Sequence, residues 1–259
     1  MNDPTSSYYQ AAWAEYLSNR TGAFTMAHGN SIAFASLNHL TTPTIANSTI
    51  AAIAGQTAQD FLPHVYGENP ELLAGFLAQR EQLVNNLPKA DAGAMEMAIG
   101  GTAGTFFAIQ KPLSRGSIQI TSLDPDPAVT PFLDLGTFLN PIDVNIAVLC
   151  MKMIRRLYAS ASLAVRQPRE LAPTASAQTD DEIAATMRGS ALGSFQHQCG
   201  TASMLPLNKG GVVDPSLRVY GVTGLRVVDA SIIPLIPACH LQSTVYAIAE
   251  KAADIILGV

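Results

Sequence analysis

SFQHQCGTASMLPLNKGGVVDPSLRVYGVTGLRVVDASIIPLIPACHLQSTVYAIAE, residues 194–250, carries the reading of the whole chain. It sets His197 and His240 at opposite ends of one segment, separated by the turn Lys209-Gly210-Gly211, a second glycine turn at Gly221 and Gly224, and the apolar run Leu225 to Val228. A loop, a strand and a turn of that length bring both imidazoles to one place. Imidazole, with an unperturbed pKa of ~6.5, can give or take a proton near neutrality. Two held close together cannot both charge cheaply, so one stays neutral as base while the other holds the proton. Residue type alone favours a structural role for any single histidine, and His28, His39 and His64 keep that reading.

The stretch resembles the C-terminal signature of the glucose-methanol-choline (GMC) flavin oxidoreductases. His197-Gln198-Cys199-Gly200-Thr201, Gly211-Val212-Val213-Asp214-Pro215, Leu225-Arg226-Val227-Val228-Asp229-Ala230-Ser231, Pro234 and Ala249-Glu250-Lys251-Ala252-Ala253-Asp254 follow in family order. Ser114-Arg115-Gly116 and Asp124-Pro125 extend it upstream, and Glu15-Tyr16-Leu17, Asn19-Arg20-Thr21-Gly22 and Gly29-Asn30 echo the family's substrate-side region. The resemblance implies an α+β fold, an antiparallel or mixed sheet with helices packed on one side. It divides residues 1–259 into a middle substrate-side region, 1–111, and a C-terminal region, 112–259, of a single unit. It also implies that the pair matching His197 and His240 faces the substrate hydroxyl, with Asp229, Ala230 and Ser231 on the flavin-facing surface.

The family's Gly-x-Gly-x-x-Gly turn, which holds the FAD pyrophosphate on a helix N-terminus, does not occur here. Gly100-Gly101-Thr102-Ala103-Gly104 has the glycines in the wrong spacing. The expectation is therefore no cofactor bound by this chain, FAD entering only with a complementing partner. Three functional readings follow. One is a non-redox enzyme using the histidine pair for cyclisation, isomerisation or dehydration of a small organic molecule of secondary metabolism. The others are a flavoenzyme half needing a separate FAD-binding chain, and a non-catalytic ligand-binding remnant.

Gln242 and Thr244, just past His240, are candidate hydrogen-bond partners and substrate contacts, and equally ordinary helix-start residues. Cys199 and Cys239 flank the histidines and join the substrate-side set. With His197 and His240 they have the composition of a zinc site, but ligands one or two apart at both ends lack the usual spacings, so no metal is expected.

The 259 residues, 48% of them hydrophobic, can bury a sizeable core. Charged residues are only 14%, lean enough to suggest a covered surface. A homodimer through the expected strand Leu225–Asp229 or the closing helix Thr244–Leu257 would supply that cover. The net charge of −5 has no basic stripe, which argues against nucleic acid. No apolar run reaches the ~18 residues of a membrane span. An N-terminus without a basic start or apolar run, and three cysteines without a paired framework, point to a reducing, cytoplasmic setting.

Coarser signals place the remaining elements. Helices are expected from Tyr9 to Leu17, within 45–61, from Asn69-Pro70 to Leu87, from Asn140-Pro141 to Tyr158, and from the capping box at Thr179 to about Gly189. Strands are expected at Met95–Ile99, Thr105–Ile109 and Ser117–Thr121, the last two forming a hairpin across Ser114-Arg115-Gly116.

Overall fold

A computed structural model describes residues 3–25, 31–100, 104–124, 126, 128–165, 167–171 and 173–259. His28, Gly29-Asn30 and most of the Gly100–Gly104 stretch fall outside it. In chain order the elements are α1 (Ser7–Asn19), β1 (Ser31–Ser36), α2 (Leu37–Leu40), α3 (Pro43–Gly55), α4 (Val65–Glu68), α5 (Pro70–Asn86), β2 (Gly93–Gly100) and β3 (Gly104–Ile109). They continue with β4 (Ser117–Gln119), β5 (Phe132–Asp134), α6 (Pro141–Tyr158), α7 (Ala161–Ala164), α8 (Asp180–Ser190) and α9 (Leu241–Leu257).

Local chemistry starts the helices where the sequence says it should. Proline, whose fixed φ suits the first turn, opens α3, α5 and α6. Thr42 and Asn140 accept from the free amides of Ile45 and Ile142. Thr179 and Glu182 close a reciprocal capping box on α8.

The main sheet is an antiparallel meander, β1-β2-β3, in which Phe34 and Ala108 both lie opposite Glu96 while Ile32 and Phe106 both lie opposite Ala98. Alternation sends Met95 and Met97 to the other face, where they pack with Leu37, Leu40, Ile53, Leu83, Ile142, Ile146 and Cys150 into the principal core. The sheet is thus antiparallel with its helices on one side. The Glu96 face is crossed instead by the segment before α9, whose Ala238 would lie 3.0 Å from a Cβ placed on Gly93.

Two expected pairings change. β3 forms its hairpin with β2, and β4 pairs with β5, Ser117 opposite Asp134. The expected hairpin fails because Pro112, Leu113 and Ser114 turn the chain away. The Asp143 carboxylate on α6 takes the Leu113 amide at 2.9 Å and the Ser114 amide at 2.7 Å. Leu225–Asp229 is not a strand either. It touches its neighbours through the isolated bridge between Arg218 and Arg226 and through the Val227 amide on the Leu217 carbonyl.

Val227, Val228 and Ile255, expected to need outside cover, pack against Val213, Leu217, Ile232 and Ala252 in a satellite core under α9. Leu225, Ile256 and Leu257 remain exposed.

The C-terminal loops meet α5 backbone to backbone. A Cβ on Gly211 would lie 1.7 Å from the Leu205 carbonyl oxygen, and one on Gly75 would lie 2.3 Å from that of Lys209. Gly211→Ala is expected to cost about 2 kcal/mol, the scale of overpacking. The melting temperature should then fall by roughly 4–8 °C. Gly55→Ala, where a Cβ meets nothing within 4 Å, is the matched control. Equal melting temperatures for the two variants in a thermal scan would refute the close approach.

Candidate functional site

His240 ends the crossing segment as the N-cap residue of α9, and buried Leu241 behind it anchors the helix start. Its Nε2 lies 2.8 Å from Oε1 of Glu96, whose side chain is 6% exposed against 44% for His240. The other Glu96 oxygen accepts from Gln110 Nε2 at 3.2 Å. A carboxylate buried in a sheet needs such partners, and here one of them is the site histidine. Because a carboxylate only accepts, the Nε2 position carries hydrogen, and in the neutral ring the lone pair sits on Nδ1.

His197 comes from the loop Ser194–Gly200. Its ring centroid lies 5.3 Å from that of His240, with the planes inclined by 31°. The loop is fastened by the His197 amide on Ser194 Oγ at 3.2 Å and by Phe195, whose ring sits 5.2 Å from that of Phe106 on β3. Between the two anchored side chains Gln196 adopts φ 62°, a left-handed conformation that costs a non-glycine residue roughly 1–2 kcal/mol. The loop carries that strain between Phe195 and His197, whose rings meet Phe106 and His240.

The other sequence-derived candidates divide. Among the described residues neither Gln242 nor Thr244 bonds either imidazole. Gln242 is exposed and Thr244 Oγ1 lies 3.9 Å from Cys239 Sγ. Cys199 and Cys239 act electrostatically on Lys111 instead, whose Nζ donates to the Ile236 carbonyl. Burial lowers the proton affinity of the Lys111 amine, and the two thiols act against that shift. Burial pushes the Cys199 thiol up, opposed by the Arg115 and Lys111 charges. No group of three or more histidine, cysteine, aspartate or glutamate side chains is placed to hold a metal among the described residues. Ala230–Ile232 form a short 3-10 turn capped by Asp229, whose Oδ1 accepts from the Ser231 amide at 2.8 Å.

Glu96, Gln110 and Lys111 were not among the residues expected at the site. The available signal was the charge in Gly93–Gly100, where Glu96 stands between Met95 and Met97 in an otherwise apolar strand.

The family model described as GMC oxidoreductase matches residues 112–249. A dehydrogenase of Emericella nidulans, xptC, is 37% identical over 220 residues, covering 82% of this chain and 34% of the relative. The FAD-dependent oxidoreductase of Chaetomium thermophilum superposes with a TM-score of 0.88 at 35% identity, over 97% of this chain and 43% of that one. A fungal aryl-alcohol oxidase gives 0.84 at 34%, over 98% and 43%. The chain spans about a third to two fifths of the length of these relatives. On sequence and on structure it belongs to the GMC oxidoreductase family.

Proposed function

We propose that this chain is an acid–base catalyst acting on a small organic molecule that bears a hydroxyl or carbonyl group, with His240 as base and His197 as its proton-holding partner. The observation that carries the reading is the Glu96–His240–His197 array, in which a buried carboxylate fixes one imidazole and a second imidazole lies beside it. His240 Nδ1 takes a proton from the substrate and His197 returns one at a second atom, so that protons and electrons balance with no net oxidation. Ring closure, isomerisation and dehydration all need that exchange. The dehydrogenases xptC and pkfF and the oxidoreductase cicC of Emericella nidulans are relatives of this chain, and a small fungal metabolite is the substrate proposed by analogy with them.

Under this reading the chain is proposed to hold no whole FAD by itself, the Asp229–Ser231 turn being occupied by its own bonds. Asp229 is engaged with Ser231, and the carbonyls of Ala230, Ser231 and Ile232 are taken by the amides of Gly200, Ala202 and Met204. No buried polar side-chain atom among the described residues lacks a partner.

A second reading is favoured by the coverage of the relatives, 34–43% of their length. In it the same array serves alcohol oxidation, with FAD held by polypeptide outside these residues. The exposed Leu225, Ile256 and Leu257 support a contact with another chain, proposed as a second copy. Light scattering showing a monomer at micromolar concentration would remove that copy.

Turnover of a hydroxy-carbonyl substrate without added flavin, followed by product analysis, tests the first reading. Activity appearing only when flavin and a complementing polypeptide are added would transfer the site to the second. Under either, Glu96→Gln removes the charge behind His240 and should lower the rate at least about ten-fold and displace the pH profile. An unchanged profile would reduce Glu96 to a structural role.

A further inference from the structure

We infer that Lys111 is a second reactive group of this chain, a nucleophilic amine that condenses with an aldehyde, and the inference stands apart from the proton chemistry assigned to His240. Two contacts fix its place. Lys111 follows Gln110, whose amide bonds the Glu96 carboxylate that holds His240, and its own Nζ donates to the Ile236 carbonyl in the segment that leads to His240. The amine is thus tied between the end of β3 and the crossing segment.

Its surroundings favour the neutral form. Lys111 is half-buried, and burial lowers its proton affinity because an ammonium gives up water there without full replacement. Lys152 and Lys251 pair with Asp180 and Asp254, whereas among the described residues no carboxylate pairs with Lys111. The groups that act on its charge are the thiols of Cys239 and Cys199, and Cys199 feels the Arg115 cation as well. Burial pushes the Cys199 thiol toward its protonated form, in which it offers the ammonium no countercharge.

A carbonyl only accepts, so Ile236 keeps one N–H of the neutral amine on its side and leaves the lone pair facing elsewhere. Only that lone pair attacks carbon, which is why a desolvated lysine forms Schiff bases more readily than a solvated one. In the step a C–N bond forms, the two amine hydrogens leave with the carbonyl oxygen as water, and an imine remains. Nothing is oxidised or reduced. An aldehyde is the fitting class, because a half-buried amine reaches its uncrowded carbon more easily than that of a ketone.

Reductive labelling of the native chain with propanal and cyanoborohydride at about pH 7 reads this, since an ordinary lysine of pKa ~10.4 is almost wholly protonated there. The hydride reduces the imine alone, so reversible thiol adducts of Cys199 and Cys239 wash out. Peptide mass mapping should show N-propyl Lys111 forming at least about ten-fold faster than the adducts of Lys89, Lys152, Lys209 and Lys251. In urea, where burial is lost, all of them should react alike.

Labelling of Lys111 no faster than that of the other lysines would overturn the inference and leave the residue a charged latch on Ile236. A preference that persists in urea would overturn it too, tracing the reactivity to local sequence rather than to the fold. Neither readout uses turnover, so failure of the His240 reading would leave this result standing.

Discussion

His240→Ala is expected to lower turnover by about 10²- to 10⁴-fold, the range for loss of a positioned proton-transfer group. The melting temperature should barely move, since the imidazole is 44% exposed and its removal opens no cavity in the core. The variant does leave Glu96 without its closest partner, but Gln110 still donates to the other oxygen, so the buried carboxylate is not abandoned. His197→Ala should fall in the same range if the second imidazole holds the proton, and the double variant should be little worse than either single one, because the two act as one unit. Steady-state kinetics beside a thermal scan decide the matter. Full activity in both single variants would move catalysis away from this pair.

The largest effect on stability is expected from Asp143→Ala, far from the proton chemistry. Asp143 is fully buried in the first turn of α6 and accepts the amides of Leu113 and Ser114. Burial raises its pKa, while those amides and the Arg115 guanidinium pull it back. Arg115 itself donates to the carbonyls of Pro112, Leu113 and Ser114 and to Gln79, with its guanidinium over the Phe76 ring. Removing the carboxylate strands two amides in the interior beside an uncompensated cation, a loss of about 3–5 kcal/mol. At roughly 2–4 °C per kcal/mol, the melting temperature should drop by about 6–20 °C. Asp143→Asn, which keeps one acceptor, should fall between. A shift under about 2 °C on scanning calorimetry would mean that the loop finds other partners.

What was legible in the sequence was whatever short-range chemistry decides. Thr179 with Glu182, and the prolines after Asn69 and Asn140, mark helix starts because each acts within one turn of itself. The order of motifs from His197 to His240 placed the two imidazoles together. The pairing of β4 with β5 escaped because Phe132–Asp134 is three residues long and carries no alternation, while Leu113 and Ser114 answer to Asp143 some thirty residues on. Leu225–Asp229 has the composition of a strand, but the chain beside it is loop and offers only a bridge. Glu96 escaped because its meaning lies 144 residues away, in the ring of His240.

That separation bears on how the array can be inherited. The stretch that matches the family model begins at residue 112, downstream of Glu96. A gene fission or a recombination crossover anywhere between β2 and the histidine loop would carry off both imidazoles intact and leave behind the carboxylate that sets the tautomer of His240. On the proposed acid–base reading, the hybrid would still display every residue of the recognisable C-terminal signature and would lose rate as Glu96→Gln should, unless the incoming half brought an acid in register with Glu96. On that reading, functional descent in this lineage is tied to co-inheritance of a central strand and two distant loops.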